Sequence, residues 1–220
     1  MSTTKKMQIR ARLKRKMSCV KFKCIYHYTK GINICKIIAS RKINLENSTG
    51  YTKDERIIKL MKRKNFVWLT ESNVYPTTAL PYIPSMSETY MPNHFGAIKP
   101  TIDWEKLANH IGGIFRFRFN ASDVRFDKWT LCEYRKSNLM NPIIYALEES
   151  SNLVGDNIHK FWISKDHVQL RNCDLEMLVN GSWVSLFYFD ANGKIHQKSN
   201  FEIDYFLTKS KKIRAELGLI

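Results

Sequence analysis

The sequence predicts an α+β fold in which two small, mostly antiparallel sheets pack against flanking helices at one side. Two observations predict it. In the first half, short β-rich runs alternate with segments whose apolar residues recur at helical spacing. In the second half, Asn180-Gly181 and Asn192-Gly193 separate β-rich runs as β-hairpin turns do. A chain of 220 residues with a hydrophobic fraction of 44% is sufficient for one buried core.

Apolar spacing and turn residues predict the elements of the first half. A strand over residues 20–28 is followed by a helix over residues 30–40, in which isoleucines recur at helical spacing. Short strands are predicted at residues 43–45 and 66–70. Between them, a hydroxyl followed three residues later by a glutamate predicts a helix that begins at Thr52.

The second half combines helix-rich stretches with a series of strands. Asp103 is a suitable N-cap for a helix over residues 104–111. Residues 129–150 are predicted to be mostly helical, with a break or a new first turn at Pro142. Strands are predicted at residues 114–119, 161–164, 175–179, 183–189 and 194–196, and a terminal helix at residues 201–220.

Residues 75–102 differ in character, because they hold five of the six prolines. Proline removes a backbone donor and restricts φ, so this segment is neither a regular helix nor a central strand. Long loops within a compact domain are usually functional, which predicts a lid or a substrate-binding loop. A structural excursion is the alternative.

The charge of the chain is far larger than solubility requires. The formal net charge is +16, and the pI is near 9.7. No acidic residue precedes Glu46, and lysines and arginines crowd the first 23 positions. We therefore expect a polyanionic partner, with nucleic acid (RNA or DNA) ahead of an anionic membrane or an acidic protein. Residues 1–18 are interpreted as a basic arm that contacts this partner or as a solvated tail, and residues 19–220 as one domain.

The sequence predicts neither a membrane protein nor a metal site. No apolar run approaches the roughly 18 residues that span a bilayer. The N-terminus lacks the apolar core of a signal peptide, so a cytoplasmic location is expected. The five cysteines lack CxxC spacing and are interpreted as reduced thiols. His159 and His167 have no third ligand nearby, so no metal is expected.

Two β-rich runs end in imidazole and hydroxyl side chains. The first ends in His27-Tyr28-Thr29 and precedes Gly31 and a helix; the second is Phe66-Val67-Trp68-Leu69-Thr70-Glu71-Ser72. This pattern resembles the ADP-ribosyltransferase superfamily, in its branch with a His-Tyr-Thr first motif. That branch includes diphtheria-toxin-like enzymes and nucleic-acid-modifying toxins of toxin–antitoxin and phage-defence systems. The resemblance covers residues 20–189, and its motifs are concentrated in the first third.

The resemblance implies a split-sheet core with NAD⁺ held in a cleft between the two sheets. His27 then matches the ribose-binding histidine and Thr29 its neighbour, while Gly31 allows close approach of the backbone to the ligand. Tyr28 belongs to the same motif, but alternation along a strand turns it to the face opposite His27. Thr70 and Ser72 would supply hydroxyls on the next core strand.

The implied reaction needs one carboxylate beside the ribose, because positive charge develops there as the bond to nicotinamide breaks. Glu176, on a late strand, is the leading candidate, and alternation turns it away from the core face of that strand. Glu202 and Glu71 are the alternatives. Asp174, rather than a glutamate, stands two residues before Glu176. The Glu-x-Glu pair of arginine-modifying relatives is thus missing, which favours a nucleic acid as the acceptor.

Further contacts follow from residue type. Arg116 and Arg118 alternate with phenylalanines on a strand and suit either a phosphate group or a solvent-facing surface. Tyr75, Tyr82 and Tyr145 are candidates to stack on nicotinamide, and the sequence does not choose among them.

The expected function is NAD⁺-dependent ADP-ribosylation of RNA or DNA, with NAD⁺ as co-substrate. Such an enzyme would act as a toxin or phage-defence effector that an antitoxin protein neutralises. The alternatives are an ADP-ribosyltransferase of proteins and a non-enzymatic, basic nucleic-acid-binding protein.

Overall fold

The structure is a computed structural model that describes residues 23–45, 66–76, 104–140, 142–153 and 155–199, with isolated positions 208, 211, 212 and 215. The predicted basic arm, the helix predicted from Thr52, most of the proline-rich segment and nearly all of the predicted terminal helix lie outside the described residues. So do two candidate site residues, Tyr82 and Glu202.

The described residues form an α+β fold. Its strands are β1 (Cys24–Lys30), β2 (Lys42–Ile43), β3 (Val67–Thr70), β4 (Ile114–Asn120), β5 (Asp127–Lys128), β6 (Phe161–Ser164), β7 (Val168–Gln169), β8 (Cys173–Val179), β9 (Ser182–Phe189) and β10 (Ile195–Gln197). An antiparallel sheet of eight strands has the order β10-β9-β8-β4-β1-β3-β6-β5, and β2 pairs with β7 in a second, small sheet.

Few helices accompany the sheets. They are α1 (Gly31–Ser40), α2 (Trp104–Ile111), α3 (Glu133–Ser137) and α4 (Pro142–Leu153), with 3₁₀ turns at Trp129–Leu131 and Ile158–Lys160. Within the described ranges no helix is long and apolar enough to cross a membrane.

Most predicted elements are confirmed, with two corrections. α1, α2 and the hairpin between β8 and β9 occur where the sequence predicts them, and Pro142 opens α4 as a new first turn. The prediction of two small sheets needs correction, because the pairing of β1 with β3 joins most strands into one large sheet. The prediction of helices at one side is wrong, because α1 and α2 pack on opposite faces.

The border between β1 and β3 is the narrowest connection in the large sheet. β1 pairs with β4 along all seven of its residues, but with β3 only at Tyr26 and Thr70. The large sheet thus consists of two parts, β10-β9-β8-β4-β1 and β3-β6-β5, joined at one residue pair. We call this border the β1–β3 junction.

One face of the large sheet forms the main hydrophobic core. Alternate residues of β1, β4 and β8, such as Ile25, Phe117 and Leu175, pack with Ile34 and Ile37 of α1. These side chains are buried, and each contributes roughly 2 kcal/mol through removal of apolar surface from water. We call this side of the sheet the core face.

The opposite face is more polar, and we call it the cluster face. α2 covers part of it through Leu107 and Ile111, which pack with Tyr28, Tyr75 and Ile114. The charged residues of β4 and β8 alternate with the core residues and therefore lie on this face.

Gly31 is required by a close approach of two backbone segments. Its amide donates to the carbonyl of Gly113 at 2.9 Å. A Cβ atom on Gly31 would lie 1.8 Å from the carbonyl oxygen of Gly112. The structure thus gives Gly31 a packing role against the turn before β4.

We expect Gly31→Ala to lower the free energy of unfolding by roughly 3 kcal/mol or to prevent folding, because the added methyl group meets backbone that cannot yield without moving a strand. Gly181→Ala is the matched control. Gly181 has a φ of 77° but nothing within 4 Å of its Cβ position. Only backbone strain of about 1 kcal/mol is expected there. Denaturant unfolding measures both losses, and equal losses would contradict the steric explanation.

Candidate functional site

Tyr28, Arg116 and Glu176 are direct neighbours on three adjacent strands. The register pairs Tyr28 with Arg116 and Arg116 with Glu176, so their side chains meet on the cluster face. The Nε of Arg116 donates to Oε2 of Glu176 at 2.6 Å. Its Nη1 donates to the Asn73 carbonyl at 3.0 Å and to the Tyr28 hydroxyl at 3.4 Å. One guanidinium thus connects β1, β4, β8 and the segment after β3.

Two aromatic rings enclose the same guanidinium. The Cζ of Arg116 lies 4.1 Å from the ring centroid of Tyr26 and 4.0 Å from that of Trp183, within cation–π range. Arg116 is 5% exposed and Glu176 4%. We call Tyr26, Tyr28, Arg116, Glu176 and Trp183 the arginine cluster. The side chain of Arg116, which was predicted to face a phosphate group or solvent, is instead bound inside the protein.

Arg118 is also held by carboxylates but lies nearer to solvent. Its Nη2 donates to Asp174 at 2.7 Å, and its Nη1 lies 3.2 Å from Oε1 of Glu176. Lys198 also pairs with Asp174. Burial alone would raise the pKa of Asp174, but hydrogen bonds from Lys198 and Arg118 outweigh burial and hold the pKa below its ordinary value. Both arginines predicted to bind substrate are therefore engaged by internal carboxylates.

Tyr28 anchors the segment that follows β3. Its hydroxyl donates to the Ser72 carbonyl at 2.9 Å, and its ring packs edge-on against Tyr75 with 5.2 Å between centroids. Burial raises the pKa of Tyr28 to about 12, so the hydroxyl stays protonated at neutral pH. The Asn73 carbonyl also accepts from Nε1 of Trp183 at 3.1 Å. These bonds hold the segment against the arginine cluster.

The predicted hydroxyl ligands serve the fold. Thr29 and Thr70 are buried. The Oγ1 of Thr70 accepts from the Ser72 amide at 3.1 Å, and the Oγ of Ser72 accepts from the Val74 amide at 3.3 Å. Such bonds shape a turn, which is the role that the structure gives to Thr70 and Ser72.

His27 lies on the core face. Its register partner is Phe117, which in turn pairs with Leu175, so the imidazole is on the opposite side of the sheet from Glu176. Its Nδ1 donates to the Trp68 carbonyl at 2.9 Å, across the β1–β3 junction. Because a carbonyl oxygen only accepts, Nδ1 carries the proton, and Nε2 is the acceptor in the neutral ring.

Glu71 lies at the end of β3, on the core face. Trp162, the register partner of Leu69, donates its indole N–H to Glu71 at 2.8 Å, so Glu71 follows Leu69 on that face. Lys23 and Lys128 pair with Glu71 at 2.6 Å and 3.2 Å. Burial alone would raise the pKa of Glu71, but hydrogen bonds from these three side chains outweigh it and lower the pKa. Glu71 is therefore ionised at neutral pH.

The predicted site is divided between the two faces. Tyr28, Tyr75 and Arg116 lie beside Glu176 on the cluster face, whereas His27 lies on the core face. His27 and Glu176 consequently do not form one site in this structure. Tyr28 turns away from His27, as alternation predicts, and is connected to Glu176 through Arg116.

The remaining candidates lie apart from the arginine cluster. Tyr145 is an exposed residue of α4. Of the tyrosine candidates within the described residues, Tyr75 is the one that packs on Tyr28. His167 accepts from the Leu45 amide at 3.1 Å through Nδ1. In the described ranges no group of three or more His, Cys, Asp or Glu side chains could hold a metal ion.

Sequence reasoning missed Tyr26 and Trp183, which enclose Arg116. A signal existed for Trp183: the two-residue turn after β8 sets the hairpin register and pairs Trp183 with Leu178, on the face that carries Glu176. Local alternation does not reveal that β8 lies beside β4, and this pairing is what assembles the arginine cluster.

Compared with protein-family models, with curated proteins and with solved structures, the chain has no match in any of the three. Functional inference therefore rests on the residues and the geometry described above.

We expect Arg116→Met to lower the free energy of unfolding by roughly 3–5 kcal/mol, because it leaves the Glu176 carboxylate buried without its main partner. Lys165→Met is the matched control, since it removes a pair with Asp127 in which the side chains are 52% and 53% exposed. The control should lose less than about 1 kcal/mol. Denaturant unfolding at neutral pH compares them, and similar losses would argue against a stabilising buried pair.

Stability should fall in acid as Glu71 and Asp174 become protonated. The pKa of each is lowered by folding, so their ionised forms stabilise the fold above the ordinary carboxyl pKa, and this contribution is lost as the pH falls through the lowered values. The Glu71→Gln/Asp174→Asn variant should differ most from the parent protein at about pH 7 and least at about pH 3. Denaturant unfolding at both values measures the difference. A pH-independent difference would exclude this linkage.

Proposed function

We propose that the chain is an NAD⁺-dependent ADP-ribosyltransferase that modifies a nucleic acid, with its nucleotide site at the β1–β3 junction. The observation that carries the proposal is the position of His27. This motif histidine lies where the two parts of the large sheet are joined by one residue pair. The resemblance of the sequence to ADP-ribosyltransferases implies a cleft at such a border.

The bond to Trp68 defines what His27 can do there. The carbonyl accepts the Nδ1 hydrogen bond and orients the ring, and in the neutral tautomer Nε2 is an acceptor of the type to which a ribose hydroxyl can donate. NAD⁺, when bound, supplies a ribose carbon whose bond to nicotinamide breaks while a nucleophilic atom of the acceptor bonds to it. The task of the protein is to orient the ribose, stabilise the developing positive charge and receive the acceptor's proton.

We assign the carboxylate of this reaction to Glu71 rather than Glu176. Glu176 is on the other face, 4% exposed, and its two oxygens are paired with Arg116 and Arg118. A buried carboxylate neutralised by two guanidinium groups exerts little net field on a neighbouring positive charge. Glu71 is ionised and lies at the end of β3, on the face that carries His27.

The partners of Glu71 also suit a nucleotide. The side chains of Lys23 and Lys128 are 56% and 26% exposed, in contrast to the enclosed arginine beside Glu176. A lysine ammonium on a flexible, partly solvated stem can turn from a carboxylate to a phosphate at little cost. Binding of the pyrophosphate by these lysines would leave the charge of Glu71 available to the ribose.

The charge of the chain supports a nucleic acid as the acceptor. A net charge of +16 attracts any polyanion, and release of counterions from phosphates drives such binding. This support is independent of the His-Tyr-Thr motif.

A second candidate is a non-enzymatic nucleic-acid-binding protein. The specific observation in its favour is that Glu176, the carboxylate favoured from the sequence, is engaged in a buried ion pair on the face opposite His27. In this alternative His27 and Glu71 stabilise the β1–β3 junction, and the basic surface alone carries the function.

The full chain, incubated with NAD⁺ labelled in its adenylate part, should transfer label to RNA or DNA and not to lysate protein. His27→Asn keeps a donor near the Trp68 carbonyl but removes Nε2, and Glu71→Gln removes the charge while keeping the shape. We expect each to reduce transfer about 100-fold or more. Glu176→Gln should retain activity in proportion to its folded fraction.

Three other outcomes are informative. Loss of transfer in Glu176→Gln but not in Glu71→Gln, at equal folded fraction, would return the catalytic role to Glu176. Label on protein alone would identify a protein acceptor. Salt-dependent binding to nucleic acid without any transfer of label would leave the non-enzymatic candidate.

A further inference from the structure

Four cationic residues lie on separate chain segments that meet at one corner of the fold. Lys42 of β2 pairs with Gln169 of β7, and the Leu170 amide donates to the Arg41 carbonyl at 2.9 Å. The Nη1 of Arg41 donates to the Gly193 carbonyl at 3.3 Å. Backbone contacts and the Arg41 side chain thus join the segments that carry the cations, which are Arg41, Lys42, Arg171 and Lys194. We call these four residues the corner cluster.

Tight turns and an internal arginine hold this corner in place. Arg41, Asn172 and Gly193 have left-handed φ values of 55°, 50° and 77°, which are typical of tight turns. Arg125 donates to the carbonyls of Gln169 at 2.5 Å and of Arg171 at 3.1 Å. The cluster therefore lies on a fixed backbone framework rather than on one loop.

The local carboxylates are already engaged. Asp123 pairs with Arg125 at 2.7 Å, and Asp190 pairs with His196 at 2.9 Å. Asp190 also accepts from the amides of Asn192 and Lys194. In the described part of the chain, no cation of the corner cluster forms an ion pair with a carboxylate. The side chains of Arg41, Arg171 and Lys194 are exposed. The corner thus presents a local excess of positive charge to solvent.

We propose that the corner cluster is the docking surface for the sugar-phosphate backbone of a nucleic acid. This inference rests on the nucleic-acid partner of the proposed function and locates where that partner is held. The strand arginines Arg116 and Arg118 pair with carboxylates inside the fold, whereas the corner cations form no ion pair with a carboxylate of the described residues, and this contrast favours the corner cluster for contacts with phosphates. A surface of lysine and arginine tips binds phosphates without reading bases, so the docking is sequence-independent.

The corner cluster and Glu71 lie at the same end of the large sheet. β1 begins at this end, where Cys24 pairs with Asn120, and Glu71 follows β3 there. Arg171 precedes β8, and Lys194 follows β9, at the same end of these antiparallel strands. A polyanion held by the corner cluster would thus lie at the end of the sheet that carries Glu71.

The test compares two sets of neutralising substitutions in the full chain. The corner variant is Arg41→Gln/Lys42→Gln/Arg171→Gln/Lys194→Gln. The control variant removes the same charge from exposed lysines outside the corner cluster, as Lys136→Gln/Lys165→Gln/Lys211→Gln/Lys212→Gln. Fluorescence anisotropy over a salt series measures binding to single-stranded RNA, single-stranded DNA and duplex DNA of equal length, with polyglutamate as a non-nucleic polyanion.

For the corner variant we expect the slope of log K against log salt concentration to become less steep by about 3 with duplex DNA, and binding at low salt to weaken at least about tenfold. The control should change the slope by less than about 1. Equal changes in both variants, or none in the corner variant, would overturn the proposal. Weaker binding to polyglutamate with unchanged binding to nucleic acid would identify an acidic protein as the occupant instead.

Two further measurements keep the test decisive. If the fourfold corner variant does not fold, Arg171→Gln/Lys194→Gln should produce about half the change in slope. Hydrolysis of NAD⁺ without nucleic acid should equal that of the parent protein in the corner variant. If neither protein transfers label from NAD⁺ to nucleic acid, the proposed transferase activity fails, while the binding data still decide the docking surface.

Discussion

The ion pair between Arg116 and Glu176 is the interaction on which the arrangement of the large sheet most depends. Removing both charges from water costs several kcal/mol for each ion, and the cost is offset only when the geometry is good and the remaining donors find acceptors. Arg116 meets both conditions through Glu176, the Asn73 carbonyl and two aromatic rings. A shift of β8 by one residue would turn Glu176 toward Phe117 on the core face and leave a carboxylate buried without a partner. The pair thus selects one register between β4 and β8.

The same register decides which residues can act together. Side chains alternate along a strand, so placing Tyr28 beside Arg116 commits His27 to the other face. No change of rotamer brings His27 to Glu176 through a hydrogen-bonded sheet. A reaction that uses His27 must therefore draw its carboxylate from the core face or from a strand end, and Glu71 meets both descriptions. The buried pair strengthens the fold, and this role sets Glu176 apart from a site at the β1–β3 junction.

Local patterns in the sequence predict the elements well and their assembly poorly. The isoleucines of α1 and the Asn-Gly turn between β8 and β9 are local signals, and both elements form as predicted. Alternation also assigns Arg116 and Arg118 correctly to one face of β4. What covers that face is set by contacts distant in sequence, because α2 and the segment after β3 pack on it. The requirement for glycine at position 31 also arises from a distant contact. A Cβ atom there would clash with Gly112, some eighty residues away in the chain.

The distribution of cations separates stability from binding. Arg116, Arg118, Arg125 and Arg135 each face a carboxylate within the fold, where the planar guanidinium forms several hydrogen bonds at once. These pairs neutralise the positive charge of the four arginines within the protein. Cations that gather without ion pairs, as the corner cluster does among the described residues, repel one another and lower the stability of the free fold. Binding of a polyanion there would relieve this repulsion. This contrast within the described residues is the physical argument for the proposed docking of a phosphate backbone at the corner cluster.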